Sequence, residues 1–168
     1  MTTAAPILVL SGTLRLSTGD ERRTAGRFNE LITDNKTMFR RHFGVDLFPG
    51  SLNVDVAEPA SLQRDLDAGN PPPAFVIPRI ELINMPAYIG DGQAWPCILR
   101  GEKFAAPISC WIFRRIGSRV PPGVIELVAQ GKLRDAYGLQ HGDAITIDLM
   151  PRQAESGEPG TPEPGGRI

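Results

Sequence analysis

Cysteine and histidine are scarce. The 168-residue chain has two of each: Cys97, Cys110, His42 and His141. Neither cysteine has a CxxC partner, and neither stands at a metal-like spacing from a histidine. This excludes a disulfide framework and a Cys/His zinc site, leaving two buried thiols in a reducing cytoplasm as the expectation. Excess charge is also lacking: the formal net charge is −1, so no global basic field recruits nucleic acid or a membrane surface. No apolar run approaches a membrane span. Residues Met1 to Pro6 lack a basic stretch, and Ile7-Leu8-Val9-Leu10 is too short for the apolar part of a signal peptide. There are no internal repeats and no coiled-coil heptads. These absences lead us to expect a cytoplasmic protein with neither nucleic acid nor membrane as a partner, and a monomer.

What is present is globular: 41% hydrophobic and 22% charged residues, with 16 prolines and 18 glycines largely gathered in clusters. The length allows one domain with a core of its own. We expect that domain to occupy residues 1–150. After Pro151 the chain is Pro, Gly, Glu and Ser with no large apolar residue before Ile168. Such a composition cannot bury enough surface to order itself, so residues 151–168 read as a disordered tail.

Short strands are expected at Ile7 to Leu10, Gly12 to Ser17, Ser51 to Val56, Phe75 to Ile77, Ile80 to Ile83, Trp95 to Arg100, Phe104 to Ile116, Val124 to Ala129 and Ala144 to Leu149. One good helix is expected over Arg27 to Phe43, breakable at Asp34-Asn35 and stopped by Gly44. Shorter helical pieces are expected at Glu58 to Asp67 and Lys132 to Tyr137. Thr18 to Arg23 reads as a polar loop. The fold class is therefore mainly β with a few helices, as a small β-barrel with a helix packed on it.

The most informative stretch is Phe48-Pro49-Gly50-Ser51-Leu52-Asn53-Val54. It reads as a tight turn entering a strand. Positions two apart on a strand share a face, so the Ser51 hydroxyl and the Asn53 amide oxygen converge while Leu52 faces the core. Two neutral oxygens suit a hard cation such as Mg²⁺ that keeps waters and takes phosphate oxygens. The same residues also suit a Pro-Gly turn entering an ordinary surface strand. Glu126 is the second candidate, an acid interrupting the apolar run Val124-Ile125-Glu126-Leu127-Val128. It reads either as a base or as a structural acid bonded to backbone.

Two blocks together resemble the archaeal CTP-dependent riboflavin kinases, a cradle-loop-barrel family. The first is Gly44 to Val54, where that family has a glycine, a short spacer and Gly-Thr-Leu-Asn. The second is Val124 to Ala129, then Lys132-Leu133-Arg134, then Leu139-Gln140-His141-Gly142-Asp143-Ala144-Ile145. The resemblance spans roughly positions 7 to 150. It implies a riboflavin-kinase-like barrel that transfers the γ-phosphate of CTP to riboflavin. It also implies a metal, Mg²⁺ or another divalent cation, on Ser51 and Asn53, with Gly50 among the nucleotide-binding residues.

The chain departs from the family in two places. Where the family has a Gly-rich phosphate loop, this chain has Ser17-Thr18-Gly19-Asp20-Glu21-Arg22-Arg23-Thr24-Ala25-Gly26. Ser17, Thr18, Gly19 and Gly26 remain candidates for phosphate contact, and Arg22 or Arg23 could supply guanidinium contacts in place of backbone amides. The Pro-rich segment Gly69 to Trp95 matches the family little, and Trp95, Phe104 or Tyr88 are candidates for a flavin slot. Three rival readings follow. One is a kinase for another small alcohol, one a non-catalytic ligand-binding protein on the same barrel. The third is a DNA-binding barrel of the transition-state-regulator type, which the near-neutral charge opposes. Arg134 and Asp143 read as fold determinants, a helix-terminal cation and a turn-forming acid.

Overall fold

The computed structural model describes residues 5–16, 19–57, 59–85, 89–118 and 120–151; the side chains of 19–26, 59–61 and 63 lie outside that description. In chain order the elements are β1 (Leu8–Arg15), α1 (Gly19–Asp34), α2 (Lys36–Phe43), β2 (Leu52–Val56), α3 (Pro59–Asp67), β3 (Phe75–Ile77), β4 (Gly92–Arg100), β5 (Ile108–Arg115), β6 (Val124–Val128), α4 (Leu133–Ala136) and β7 (Ala144–Leu149). Of the expected tail, residues 151–168, all but Pro151 lie outside the described residues, as do Ser17, Thr18 and Tyr88.

Six strands close an antiparallel barrel in the order β4-β5-β6-β2-β1-β7, with β7 returning to β4. Closure leaves no free edge within the ring. Strand β4 makes this possible by dividing one edge between two partners. Its first residues, Gly92 to Ala94, pair with β3 outside the ring, while Cys97 to Arg100 pair with β7. Where β1 crosses β2 the backbones approach closely: a side chain at Gly12 would place its Cβ 2.2 Å from the Asp55 carbonyl oxygen.

Alternation along the strands sorts the side chains into two cores. Inside the barrel lie Leu14, Val54, Trp95, Leu99, Leu127 and Ile147, each at most 1% exposed. Trp95 donates its indole N–H to the Pro71 carbonyl at 2.8 Å. The expectation that Trp95 could line a flavin slot is thus corrected, because its ring fills the barrel and its one polar atom is spent on a loop. Phe104, half-buried, packs edge-on against Tyr137 at 5.1 Å. The second core lies outside the barrel, where Phe28, Leu31 and Ile32 of α1 and Phe39 and Phe43 of α2 cover Phe113 and Val128. Burial of each such side chain contributes about 1.5–3 kcal/mol.

The expected single helix is two. Asn35, 5% exposed, breaks it. Its amide nitrogen donates to the Leu31 and Ile83 carbonyls at 2.8 and 3.2 Å, and its oxygen accepts the Ile83 N–H at 3.0 Å. The side chain thereby stands in for backbone partners and ties the α1–α2 joint to the segment before β4. Asn35→Ala should cost about 1–2 kcal/mol, read as a lower denaturation midpoint at unchanged m-value. Gly44 ends α2 in the left-handed region (φ 73°), as expected, with its N–H on the Arg40 carbonyl at 2.9 Å.

Two other expectations change. Ile80 to Ile83 is no strand. Residues Arg79–Glu81 form a 3-10 turn, the Arg79 N–H bonding to Asp91 Oδ1 at 2.7 Å and its guanidinium to the Leu82 and Met85 carbonyls. Those bonds curl the chain, leaving Ile80 91% exposed. The expected polar loop is helix from Gly19 onward. Asp20 and Glu21 sit in the first turn, where the helix dipole favours acids, and Arg22, Arg23, Ala25 and Arg27 are good helix formers.

Candidate active site

The turn Phe48-Pro49-Gly50 delivers Ser51 to the head of β2. The Phe48 N–H bonds to the Ala129 carbonyl at 2.8 Å, which fixes the turn against the end of β6. Leu52, Val54 and Val56 point into the barrel, so Ser51, Asn53 and Asp55 share the outer face. There the Ser51 hydroxyl donates to Asn53 Oδ1 at 3.2 Å. The two oxygens converge as their spacing predicts, and both residues are half-buried. A pair of adjacent neutral oxygens, not saturated by stronger partners, fits a hard divalent cation that retains waters. Among the described residues no cluster of His, Cys, Asp or Glu offers another metal site.

Pairing across the sheet brings Glu126 to Asn53. The two are register partners on β2 and β6, and Arg15 of β1 is the register partner of Asn53 on its other side. Arg15, Asn53 and Glu126 thus form one row across three strands. The Arg15 guanidinium bonds to Asp55 Oδ1 at 3.1 Å. Burial pushes the Glu126 carboxyl above its ordinary value, opposed by the Arg115 and Arg114 guanidinium groups. A Glu126 side chain 10% exposed beside guanidinium groups is a carboxyl whose proton affinity its surroundings set.

A cavity of about 370 Å³ opens at the Ser51 end of β2, walled by Gly50 and Ser51 on one side and by Ala129, Gly131, Lys132 and Arg134 on the other, with Asn29 of α1 also lining it. Its size is that of a small-molecule pocket. Gly50 is close-packed there, a Cβ standing 2.9 Å from the Phe48 ring. Lys132 and Arg134 bring positive charge to the wall, offset in part by Asp135, which also lines it and pairs with Lys132 at 2.7 Å.

The structure therefore gathers Gly50, Ser51, Asn53 and Glu126. Gly19 and Gly26 lie on helix α1 rather than in a loop, the Arg22 and Arg23 side chains are outside the described set, and so are Ser17 and Thr18. Asp143 is a turn acid: it accepts the Gln140 N–H at 2.7 Å and pairs with Lys103 at 2.8 Å, and these contacts hold its carboxyl below the ordinary value. Sequence reasoning missed Arg115, Asn29 and Lys132 as site residues. The signal for Arg115 was available: two consecutive arginines ending an apolar strand must point to opposite faces.

The riboflavin kinase of Methanocella arvoryzae is 25% identical over 130 residues, covering 74% of this chain and 51% of that protein. That of Pyrococcus abyssi is 29% identical over 113 residues, covering 67% and 48%. That of Methanosarcina barkeri is 26% identical over 151 residues, covering 89% and 60%. The chain thus spans about half the length of the curated relatives it matches. The family model named for CTP-dependent riboflavin kinases, and described as domain of unknown function DUF120, matches residues 25–149. A β-barrel with that match over most of its length belongs to the CTP-dependent riboflavin kinase family.

Proposed function

We propose that this protein transfers the γ-phosphate of CTP to a hydroxyl of riboflavin, forming FMN and CDP. One observation carries the reading: Ser51, Asn53 and Glu126 share one outer face of the barrel, and Ser51 also lines a cavity whose wall includes Gly50, Lys132 and Arg134. Ser51 and Asn53 would hold the divalent cation, Mg²⁺ or a similar ion. Bound there, such an ion draws negative charge from the nucleotide phosphate oxygens.

The chain's own residues do the rest. The cavity holds the nucleotide, with Arg134 attracting its phosphates and Lys132 joining it where phosphate replaces Asp135 as its partner. Glu126 accepts the proton of the acceptor hydroxyl as that oxygen bonds to phosphorus. Helix α1 lies over β5 and β6 as a roof and keeps bulk water from competing as acceptor. Positioning and charge stabilisation are what phosphoryl transfer asks of a protein. The protein acts as a monomer in the cytoplasm on these two small molecules, without nucleic acid or membrane; residues 1–150 form the functional unit and the tail is dispensable.

Mass spectrometry of reactions with CTP or ATP, with and without Mg²⁺, against riboflavin and a panel of small alcohols tests this. FMN formation with CTP and Mg²⁺ is expected. No phosphoryl transfer with any donor would overturn the reading. A second reading, a kinase for another small alcohol, is favoured by the position of Trp95 inside the barrel. Transfer to a different member of the panel, with riboflavin unchanged, would select it.

A further inference from the structure

Strand β5 ends in two arginines that meet different fates. Arg114 is spoken for: its Nε and Nη2 both donate to the Asp67 carboxylate of α3, the latter at 3.2 Å. Arg115 points to the opposite face, into the gap between the barrel and α1. Its side chain is only 6% exposed, yet its Nε has no hydrogen-bond partner among the described residues. Glu126 Oε2 stands 3.7 Å from Nη2, an ion pair that balances the charge at more than ordinary hydrogen-bond length and leaves Nε unanswered. The guanidinium carbon lies 4.8 Å from the centre of the Phe28 ring, which covers the cation without supplying an acceptor. The Ser118 hydroxyl is a second buried polar atom without a partner, in the turn whose N–H bonds to the Arg115 carbonyl at 3.0 Å.

The charge of Arg115 is paired with Glu126, but a buried Nε–H with no acceptor is costly unless something arrives to complete it. What would complete this one is an anion, and the group beside it is Glu126, the register partner of Asn53. We propose that Arg115 is a catalytic residue that binds the phosphoryl group on the acceptor side of the site, its Nε–H donating to a non-bridging oxygen during transfer and in the resulting phosphate monoester. The inference rests on the kinase reading above. In the step itself the bond between phosphorus and the bridging oxygen of CDP breaks. A bond between phosphorus and the acceptor oxygen forms, and the acceptor proton passes to Glu126. Arg115 exchanges no proton and supplies charge alone. It also offsets a departure in the chain. The backbone is helical from Gly19, so amides from Arg23 onward are committed within α1, and a fixed guanidinium takes over phosphate contact.

The test has two arms on the full chain. In the first, the Arg115 Nε–Hε resonance of ¹⁵N-labelled wild-type protein, assigned by its loss in R115K, is followed on addition of inorganic phosphate, FMN and riboflavin. Phosphate and FMN should shift it and riboflavin should not. If neither phosphate nor FMN moves it, the proposal falls, whatever the wild type turns over. In the second arm, R115Q and R115K should lose about 100-fold in kcat with the KM for CTP nearly unchanged. R115K keeps the charge and covers the case in which R115Q does not fold. Wild-type turnover in folded R115K or R115Q overturns the proposal and leaves the kinase reading intact. A phosphate-shifted resonance in a wild type that transfers no phosphoryl group upholds the anion site and overturns the kinase reading.

Discussion

Glu126→Gln should lose about 100- to 10,000-fold in kcat, the contribution of a positioned general base, while still binding nucleotide. Glutamine keeps the shape and one acceptor oxygen of the side chain but can no longer take a proton, and it gives up the charge that pairs with Arg115. The wild-type kcat should show an acid limb at a pH above the ordinary glutamate value of 4.5, because burial raises the Glu126 carboxyl's affinity for its proton. That limb should vanish from the residual activity of the variant.

Stability carries an independent signature of the same residue. A carboxyl whose pKa is raised on folding binds its proton more tightly in the folded state. Its favourable contribution is full below the unfolded value and falls as pH rises towards the folded one. The melting temperature of the wild type relative to Glu126→Gln should therefore drop as pH rises above about 4.5 and level off above the folded pKa. A constant difference across that window would show that Glu126 is not held in a pKa-raising environment. Equal kcat values would remove it as the base.

The strands that carry the barrel were legible because their alternation is strict. Ala144 to Leu149 and Ser51 to Val56 put apolar residues on one face, and the structure buries that face inside the ring. The pairing of Asn53 with Glu126 was not legible, since register between strands more than 70 residues apart leaves no local mark; it became visible only with the barrel closed. Charge misled at the front of the chain. Asp20-Glu21-Arg22-Arg23 looks like a solvated loop, but acids before arginines are also how a helix begins. Trp95 misled for a related reason: near loop residues its aromaticity suggested a binding slot, while its place in β4 points it into the core. Arg115 was hidden by its neighbours. In isolation a charged strand end is ordinary, and only the roof of α1 makes this one buried.

Asn53→Ala should reduce turnover by roughly 100-fold or more, if a cation held there supplies several kcal/mol of charge stabilisation. The side chain is half-buried on the outer face of β2, while Leu52 and Val54 on either side hold the strand in the barrel, so the fold should survive. Ser51 alone would then present a single neutral oxygen, which is a poor anchor for an ion that keeps most of its waters. Ser51→Ala should do less harm, since the amide oxygen, relieved of the 3.2 Å hydrogen bond it now accepts, remains. The decisive readout is binding rather than rate. Calorimetry with CTP in the presence and absence of Mg²⁺ should show a metal-dependent increment in the wild type, a smaller one in Ser51→Ala and none in Asn53→Ala. The metal-independent part, which belongs to the cavity walls around Ala129, Gly131 and Lys132, should be the same in all three. If Asn53→Ala keeps the full Mg²⁺ increment, the cation does not sit on β2, and the convergence of Ser51 and Asn53 is only a feature of a surface strand.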